Sequence, residues 1–223
     1  MKKGLSELVF ILDRSGSMSG LEKDTIGGFN SMIEKQKMTE GDANVTTVLF
    51  DNEYELLHDR FPLKAIRPIT EKEYYVRGCT SLLDAIGKTI QKIINVQRNQ
   101  VEEERAEKVI FVITTDGMEN SSCEYTYDRI RQMIEHEKEK YQWEFIFLGA
   151  NMDAVAEAKR FGIGEERAVT YQNTSHGVQM NYKVVGETLC MMRAAAPYAA
   201  PIGREWKAEI EKEAQTEKRE IKE

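Results

Sequence analysis

Short apolar runs alternate with longer amphipathic segments along this chain, and this alternation constrains the fold more than any other feature. Runs of this length, rich in Val, Ile, Leu and Phe, are typical of strands buried on both faces of a sheet. The predicted strands are residues 8–12, 43–50, 54–57, 108–113, 143–148 and 168–171, and the predicted helices are residues 21–38, 81–96, 127–140, 154–161 and 178–195. The alternation predicts an α/β fold with a doubly wound, mostly parallel sheet of six strands.

One connection departs from the parallel pattern. Only the turn 51–53 separates the second predicted strand from the third, and so short a link joins antiparallel neighbours rather than a crossover. The third strand is therefore expected to pair antiparallel with the second. We interpret Asp51 as a residue of this hairpin turn rather than as a ligand.

Composition and charge narrow the classes of function. The net charge of −7 argues against a nucleic-acid-binding surface, which needs clustered Lys and Arg. The three widely spaced cysteines form neither a disulfide framework nor a metal-binding pair. Neither a signal peptide nor a membrane-spanning run is recognisable. We expect a cytoplasmic protein that binds neither nucleic acid nor membrane.

Oxygen-bearing side chains follow two predicted strands and precede one predicted helix. Asp13, Ser15 and Ser17 come directly after the first strand, Asp116 follows the fourth, and Thr80 precedes the second helix. In parallel α/β sheets, ligands bind at the carboxyl edge of the strands, where such residues meet. Hydroxyl and carboxylate oxygens suit Mg²⁺, and also Mn²⁺ or Ca²⁺, better than zinc or copper. The sequence therefore predicts a divalent metal site at this edge.

The small number of anionic ligands indicates what this site would do. Asp13 and Asp116 at most balance the charge of a divalent ion. An open coordination position would then attract an external carboxylate, such as an Asp or Glu of a partner protein. No residue is placed as a general base for metal-bound water, so we predict a binding protein rather than an enzyme.

The motif Asp13-x-Ser15-x-Ser17, together with Thr80 and Asp116, resembles the metal-ion-dependent adhesion site of von Willebrand factor A and integrin inserted domains. The likeness extends by pattern over residues 6–195. It implies a Rossmann-like six-stranded sheet in the order 3-2-1-4-5-6. It also implies that the serines and the threonine coordinate the ion directly or through water, that the aspartates complete or support the shell, and that the partner supplies the last carboxylate.

Several further residues are assigned from the same pattern. Met118, Glu119 and Asn120 follow Asp116 in its loop and are candidates for a rim that selects the partner. Cys79 occupies a position where many domains of the resembled family carry glycine, which places a thiol beside the predicted ion. Its effect is open.

Prolines at 197 and 201 predict a boundary between a domain of residues 1–196 and a hinge with a charged helix at 197–223. In this tail, Ile202, Trp206 and Ile210 recur at helical spacing. We favour packing of this stripe on its own domain, and self-association through the tail is the alternative.

Two other functions are kept open. In the first, the chain is a Mg²⁺-dependent phosphatase or phosphotransferase with Asp13 as nucleophile. Haloacid-dehalogenase-like enzymes carry a second aspartate two residues further on, where this chain has Ser15. In the second, the chain keeps the fold, binds no metal, and assembles through its tail.

Overall fold

A computed structural model describes residues 1–196 and 202–220. The six strands form one sheet in the order β3-β2-β1-β4-β5-β6, as expected. The strands are β1 Lys2–Asp13, β2 Asp42–Phe50, β3 Tyr54–Pro62, β4 Ala106–Thr115, β5 Glu144–Ala150 and β6 Ala168–Tyr171. All neighbours pair in parallel except β2 and β3, which are antiparallel. The predicted fold class is confirmed.

Within the described residues, six α-helices flank the sheet. They are α1 Glu22–Lys37, α2 Leu82–Asn99, α3 Tyr127–Tyr141, α4 Ala154–Arg160, α5 Ser175–Ala194 and α6 Ala208–Glu220. Side chains of alternate residues of β1 enter two hydrophobic cores. Phe10 packs with apolar residues of α1 and α5 on one face, and Ile11 packs with those of α2, α3 and α4 on the other. Burial on both faces explains why the central strands are continuous apolar runs.

The central strands place the candidate site. Leu12 of β1 is paired with Thr114 of β4, so both strands reach the carboxyl edge of the sheet at the same level. Asp13 ends β1, and Asp116 follows β4 directly. The strand order reverses between β1 and β4, so their following loops turn to opposite faces and leave a crevice between them.

Two strands extend much further than the apolar pattern predicts. β1 begins at Lys2, six residues before the predicted start, and its first three residues are exposed. β3 continues to Pro62 although His58, Asp59 and Arg60 are polar. Both extensions are held by backbone pairing with a neighbouring strand, which the hydrophobic pattern does not report. The antiparallel edge position of β3 is what makes a polar strand tolerable.

The apolar stripe of the C-terminal tail packs on its own domain. Trp206 and Ile210 are buried in the same core as α1 and α5, and Trp206 Nε1 donates a hydrogen bond to the Glu166 carbonyl at 2.8 Å. Ile202 packs against that core with partial burial. The burial of Trp206 and Ile210 agrees with packing of the stripe on its own domain, and self-association through the tail stays a prediction. The proposed hinge residues 197–201 lie outside the described residues.

We expect Trp206→Ala to lower the free energy of unfolding by about 3–5 kcal/mol, because a buried indole is replaced by a cavity. Met38→Ala is the matched control, since Met38 is exposed and should change stability by less than about 0.5 kcal/mol. Urea unfolding followed by circular dichroism measures both. Equal stabilities of the two variants would contradict the packing of the tail.

Candidate functional site

Asp13 lies at the end of β1 and is buried. Its Oδ1 accepts a hydrogen bond from the Ser15 N–H at 2.7 Å, and its Oδ2 accepts one from Thr115 Oγ1 at 2.6 Å. The hydroxyl of Tyr74 donates to the Asp13 carbonyl at 2.6 Å. These contacts hold the carboxylate in one orientation against the end of β4.

A chain of hydrogen bonds connects the first loop to Asp116. Ser17 Oγ donates to Asp116 Oδ1 at 2.5 Å, and Ser15 Oγ lies 3.1 Å from Ser17 Oγ. Since the single hydroxyl proton of Ser17 goes to Asp116, Ser15 is the donor in the second contact. Asn173 Nδ2 donates to Asp116 Oδ2 at 3.2 Å. With their protons directed at other oxygens, the two serines can present lone pairs to a cation.

Thr80, in the loop before α2, places its hydroxyl near those of Ser15 and Ser17. A methyl group on the Cα of Gly117 would lie 3.0 Å from Thr80 Oγ1, 3.2 Å from Ser17 Oγ and 3.9 Å from Ser15 Oγ. Three hydroxyl oxygens from two loops therefore surround one small space that the absence of a side chain at Gly117 keeps open. The structure brings together all five residues that the sequence assigns to the site.

The donor set suits a hard cation. It consists of hydroxyl and carboxylate oxygens, the ligand type that Mg²⁺, Mn²⁺ and Ca²⁺ accept. Across residues 1–196 and 202–220, no group of three or more His, Cys, Asp or Glu side chains could hold an ion. An ion bound at this edge would therefore depend on the hydroxyls of Ser15, Ser17 and Thr80 as well as on the two aspartates.

Burial makes both carboxylates costly to ionise. Loss of hydration raises the pKa of Asp13 to about 6, and the charge of Asp116 adds to this rise, although the hydrogen bonds from Ser15 and Thr115 oppose it. Burial also raises the pKa of Asp116, against the hydrogen bonds from Ser17 and Asn173. Two such carboxylates in one crevice would be stabilised by a nearby positive charge.

The residues assigned to the rim divide into two kinds. The side chain of Met118 is exposed. The Glu119 carboxylate instead accepts hydrogen bonds from the N–H groups of Leu83, Ser121 and Ser122. Asn120 Oδ1 accepts from the Thr80 N–H at 2.9 Å, and the Asn120 N–H donates to the Thr80 carbonyl. Glu119 and Asn120 thus hold the Thr80 loop in place, and their part in partner binding stays a prediction.

Three residues of the site were not assigned from sequence: Tyr74, Thr115 and Asn173. Thr115 and Asn173 lie at or just beyond the carboxyl ends of β4 and β6, so the rule that assigned Asp116 applies equally to them. Tyr74 lies in an irregular segment before α2, where no periodicity marks it. Thr80 lies one residue before the N-cap of α2, which is Ser81.

Comparisons with solved structures identify the fold. The chain is similar to the von Willebrand factor domain of a type V pili tip protein from Porphyromonas gingivalis, with a TM-score of 0.59 and 12% identity over 87% of this chain and 98% of that one. It is also similar to proximal thread matrix protein 1 from the mussel byssus with a zinc-occupied MIDAS motif, with a TM-score of 0.56 and 14% identity over 83% and 46% of the two chains. The fold is that of a von Willebrand factor A domain.

A third similar structure is the ArnB paralog VWA2 from Sulfolobus acidocaldarius, with a TM-score of 0.50 and 19% identity over 82% of this chain and 45% of that one. This chain thus spans slightly less than half the length of the mussel and archaeal structures. At these identities the likeness shows the von Willebrand factor A fold alone. No protein-family model and no curated protein sequence matches the chain.

The cytoplasmic location stays a prediction, because two of the similar structures are a pilus tip protein and a byssus thread protein. Within the part of the chain that the structure describes, the helices are too short or too polar to cross a membrane.

The raised pKa of Asp13 predicts a stability that depends on pH. Between the ordinary pKa of 3.8 and the raised value of about 6, the folded chain retains a proton that the unfolded chain releases, so stability falls as pH rises through this interval. Above it, ionised Asp13 costs up to about 3 kcal/mol. We expect Asp13→Asn to stabilise the metal-free domain at neutral pH and to lose this advantage near pH 3.8. Urea unfolding in chelator at several pH values measures the difference, and a constant difference would contradict the assignment.

Proposed function

We propose that this chain is a divalent-metal-dependent protein-binding module that captures a carboxylate of a partner protein. The observation that carries the proposal is the convergence of Ser15, Ser17 and Thr80 hydroxyls on the space beside Gly117, next to two buried carboxylates. Asp13, Ser15, Ser17, Thr80 and Asp116 would hold the ion. The ion, when bound, supplies positive charge that attracts an anionic group of the partner.

We infer Mg²⁺ as the resident ion, with Mn²⁺ or Ca²⁺ as alternatives, because the donors are all oxygens. The mussel protein, which shares the fold, has been solved with zinc in its MIDAS motif. This supports the idea that a domain of this fold holds a divalent ion. The proposed partner of our chain is a protein with an exposed Asp or Glu side chain.

The surroundings of Asp13 support capture of a carboxylate rather than catalysis. Both oxygens of Asp13 already accept hydrogen bonds, and its side chain is buried. A nucleophilic Asp13 would also need an acid/base group two residues further on, and Ser15 occupies that position with its hydroxyl 3.1 Å from Ser17 Oγ. The phosphatase alternative therefore has less support from the geometry than the binding proposal.

Metal binding is expected to stabilise the fold. An ion at about 100 times its Kd adds about 2.7 kcal/mol to the free energy of unfolding, which for a chain of this size raises Tm by roughly 5–10 °C. Differential scanning fluorimetry with Mg²⁺ or Mn²⁺ against chelator measures this rise. Asp116→Ala should abolish it by removing a carboxylate. Gly117→Ala should abolish it without removing any ligand, because the added methyl group fills the space between the hydroxyls.

Asp128→Ala is the matched control for these variants. Asp128 lies exposed in the first turn of α3, away from the hydrogen bonds that hold the site, so this variant should keep the full Tm rise. If the wild-type chain shows no rise in saturating metal, the metal-dependent function is wrong.

Carboxylate capture can be tested without knowing the partner. In protein loaded with Mn²⁺, the relaxation rate of water protons should fall as sodium acetate is added, because a carboxylate and water compete for the same ion. Acetamide, which has a similar shape and no charge, should leave the rate unchanged. A relaxation rate that responds equally to both compounds, or to neither, would count against capture through the metal.

A further inference from the structure

Asp51 does more than form the hairpin turn between β2 and β3. Its Oδ1 accepts the Glu53 N–H at 2.7 Å, as a turn residue does. Its Oδ2 accepts hydrogen bonds from two guanidinium groups, those of Arg14 and Arg77, each through Nε at 2.8 Å. The Asp51 side chain is completely buried. A hairpin turn requires only the hydrogen bond to the Glu53 N–H, so the two bonds to arginines indicate a further role for Asp51.

The two arginines belong to different loops of the metal site. Arg14 follows Asp13 in the first loop, and Arg77 precedes Thr80 in the loop before α2. The carbonyl of Asp51 also accepts the N–H of Ser81, the residue after Thr80, at 2.9 Å. Asp51 therefore holds the Thr80 loop on both sides of Thr80, through Arg77 and through Ser81.

The two loops are also joined to each other. The Arg77 N–H donates to the Arg14 carbonyl at 2.9 Å, and the Gly16 N–H donates to the Gly78 carbonyl at 3.2 Å. The ring of Tyr75 covers both guanidinium groups, with its centroid 5.4 Å from Arg14 Cζ and 5.6 Å from Arg77 Cζ. These contacts set the distance between the serine loop and the Thr80 loop.

Charge gives Asp51 a second effect on the site. The side chain of Arg14 is fully buried and lies next to Asp13 in the chain. A buried arginine without a counter-ion is costly, and an uncompensated positive charge beside a cation site repels the cation. The Asp51 carboxylate, with Glu55 Oε2 at 2.5 Å from Arg14 Nη1, neutralises this charge.

We propose that Asp51 is a positioning residue of the metal site: by binding Arg14 and Arg77 together, it sets the separation of the serine and threonine loops and offsets the arginine charge near the ion. This inference rests on the proposed metal-dependent function. It differs from the interpretation of Asp51 as a turn residue alone, because it predicts that a residue outside the donor set controls the affinity for metal.

The test measures the Kd for Mn²⁺ by titration calorimetry. Asp51→Asn and Arg77→Gln should each raise the Kd by about tenfold or more, the usual effect of losing a residue that orients metal ligands. Arg77→Gln decides the outcome if Asp51→Asn does not fold, because Arg77 is partly exposed. Glu53→Gln is the matched control: Glu53 pairs with the other end of the Arg77 guanidinium, is mostly exposed, and should leave the Kd within about twofold.

A double-mutant cycle separates positioning from a general loss of stability. Thr80→Val should weaken Mn²⁺ binding strongly in the wild-type chain and much less in the Arg77→Gln background, because Thr80 is then already misplaced. Additive losses, or a wild-type Kd in Arg77→Gln, would overturn the role of Asp51. A wild-type chain that takes up no Mn²⁺ would instead overturn the proposed function itself, so the two failures are distinguishable.

Discussion

The parallel pairing of β1 with β4 is the interaction on which the rest of this structure depends. Pairing of Leu12 with Thr114 ends both strands at the same level, so Asp13 and Thr115 meet at 2.6 Å and Asp116 lies within reach of Ser17. A shift of one residue in this pairing would turn every side chain of one strand to the other face of the sheet. The register of β1 against β4 therefore determines both the two hydrophobic cores and the candidate site.

A consequence of this pairing is that Asp13, Thr115 and Asp116 are buried together at the carboxyl edge of the sheet. The hydroxyls of Ser17 and Thr115 donate to carboxylates, which satisfies the buried oxygens but leaves their negative charge uncompensated within the donor set. The arginines close by are already bound to Asp51. This uncompensated negative charge supports the divalent cation that we propose for the site.

The periodic elements were predictable because they reflect burial. The central strands and the main helices are marked by apolar residues at the spacing of the element, and the order of the strands follows the resemblance to von Willebrand factor A domains. The polar ends of β1 and β3 were missed since their stability comes from hydrogen bonds to a neighbouring strand. The role of Asp51 was missed because it also depends on contacts with distant residues. In the sequence Asp51 has the features of an ordinary turn residue, and only the structure shows its hydrogen bonds with Arg14 and Arg77.

The sequence by itself determined the alternation of strands and helices and the oxygen donors at the ends of β1 and β4, because both are local patterns that one segment displays alone. Only the tertiary structure decided that Glu119 and Asn120 brace the Thr80 loop, that Gly117 leaves space among three hydroxyls, and that the tail stripe is buried. These features are contacts between segments far apart in the chain. A local sequence pattern cannot predict such contacts, because each of these side chains could pack or hydrogen-bond with many different residues.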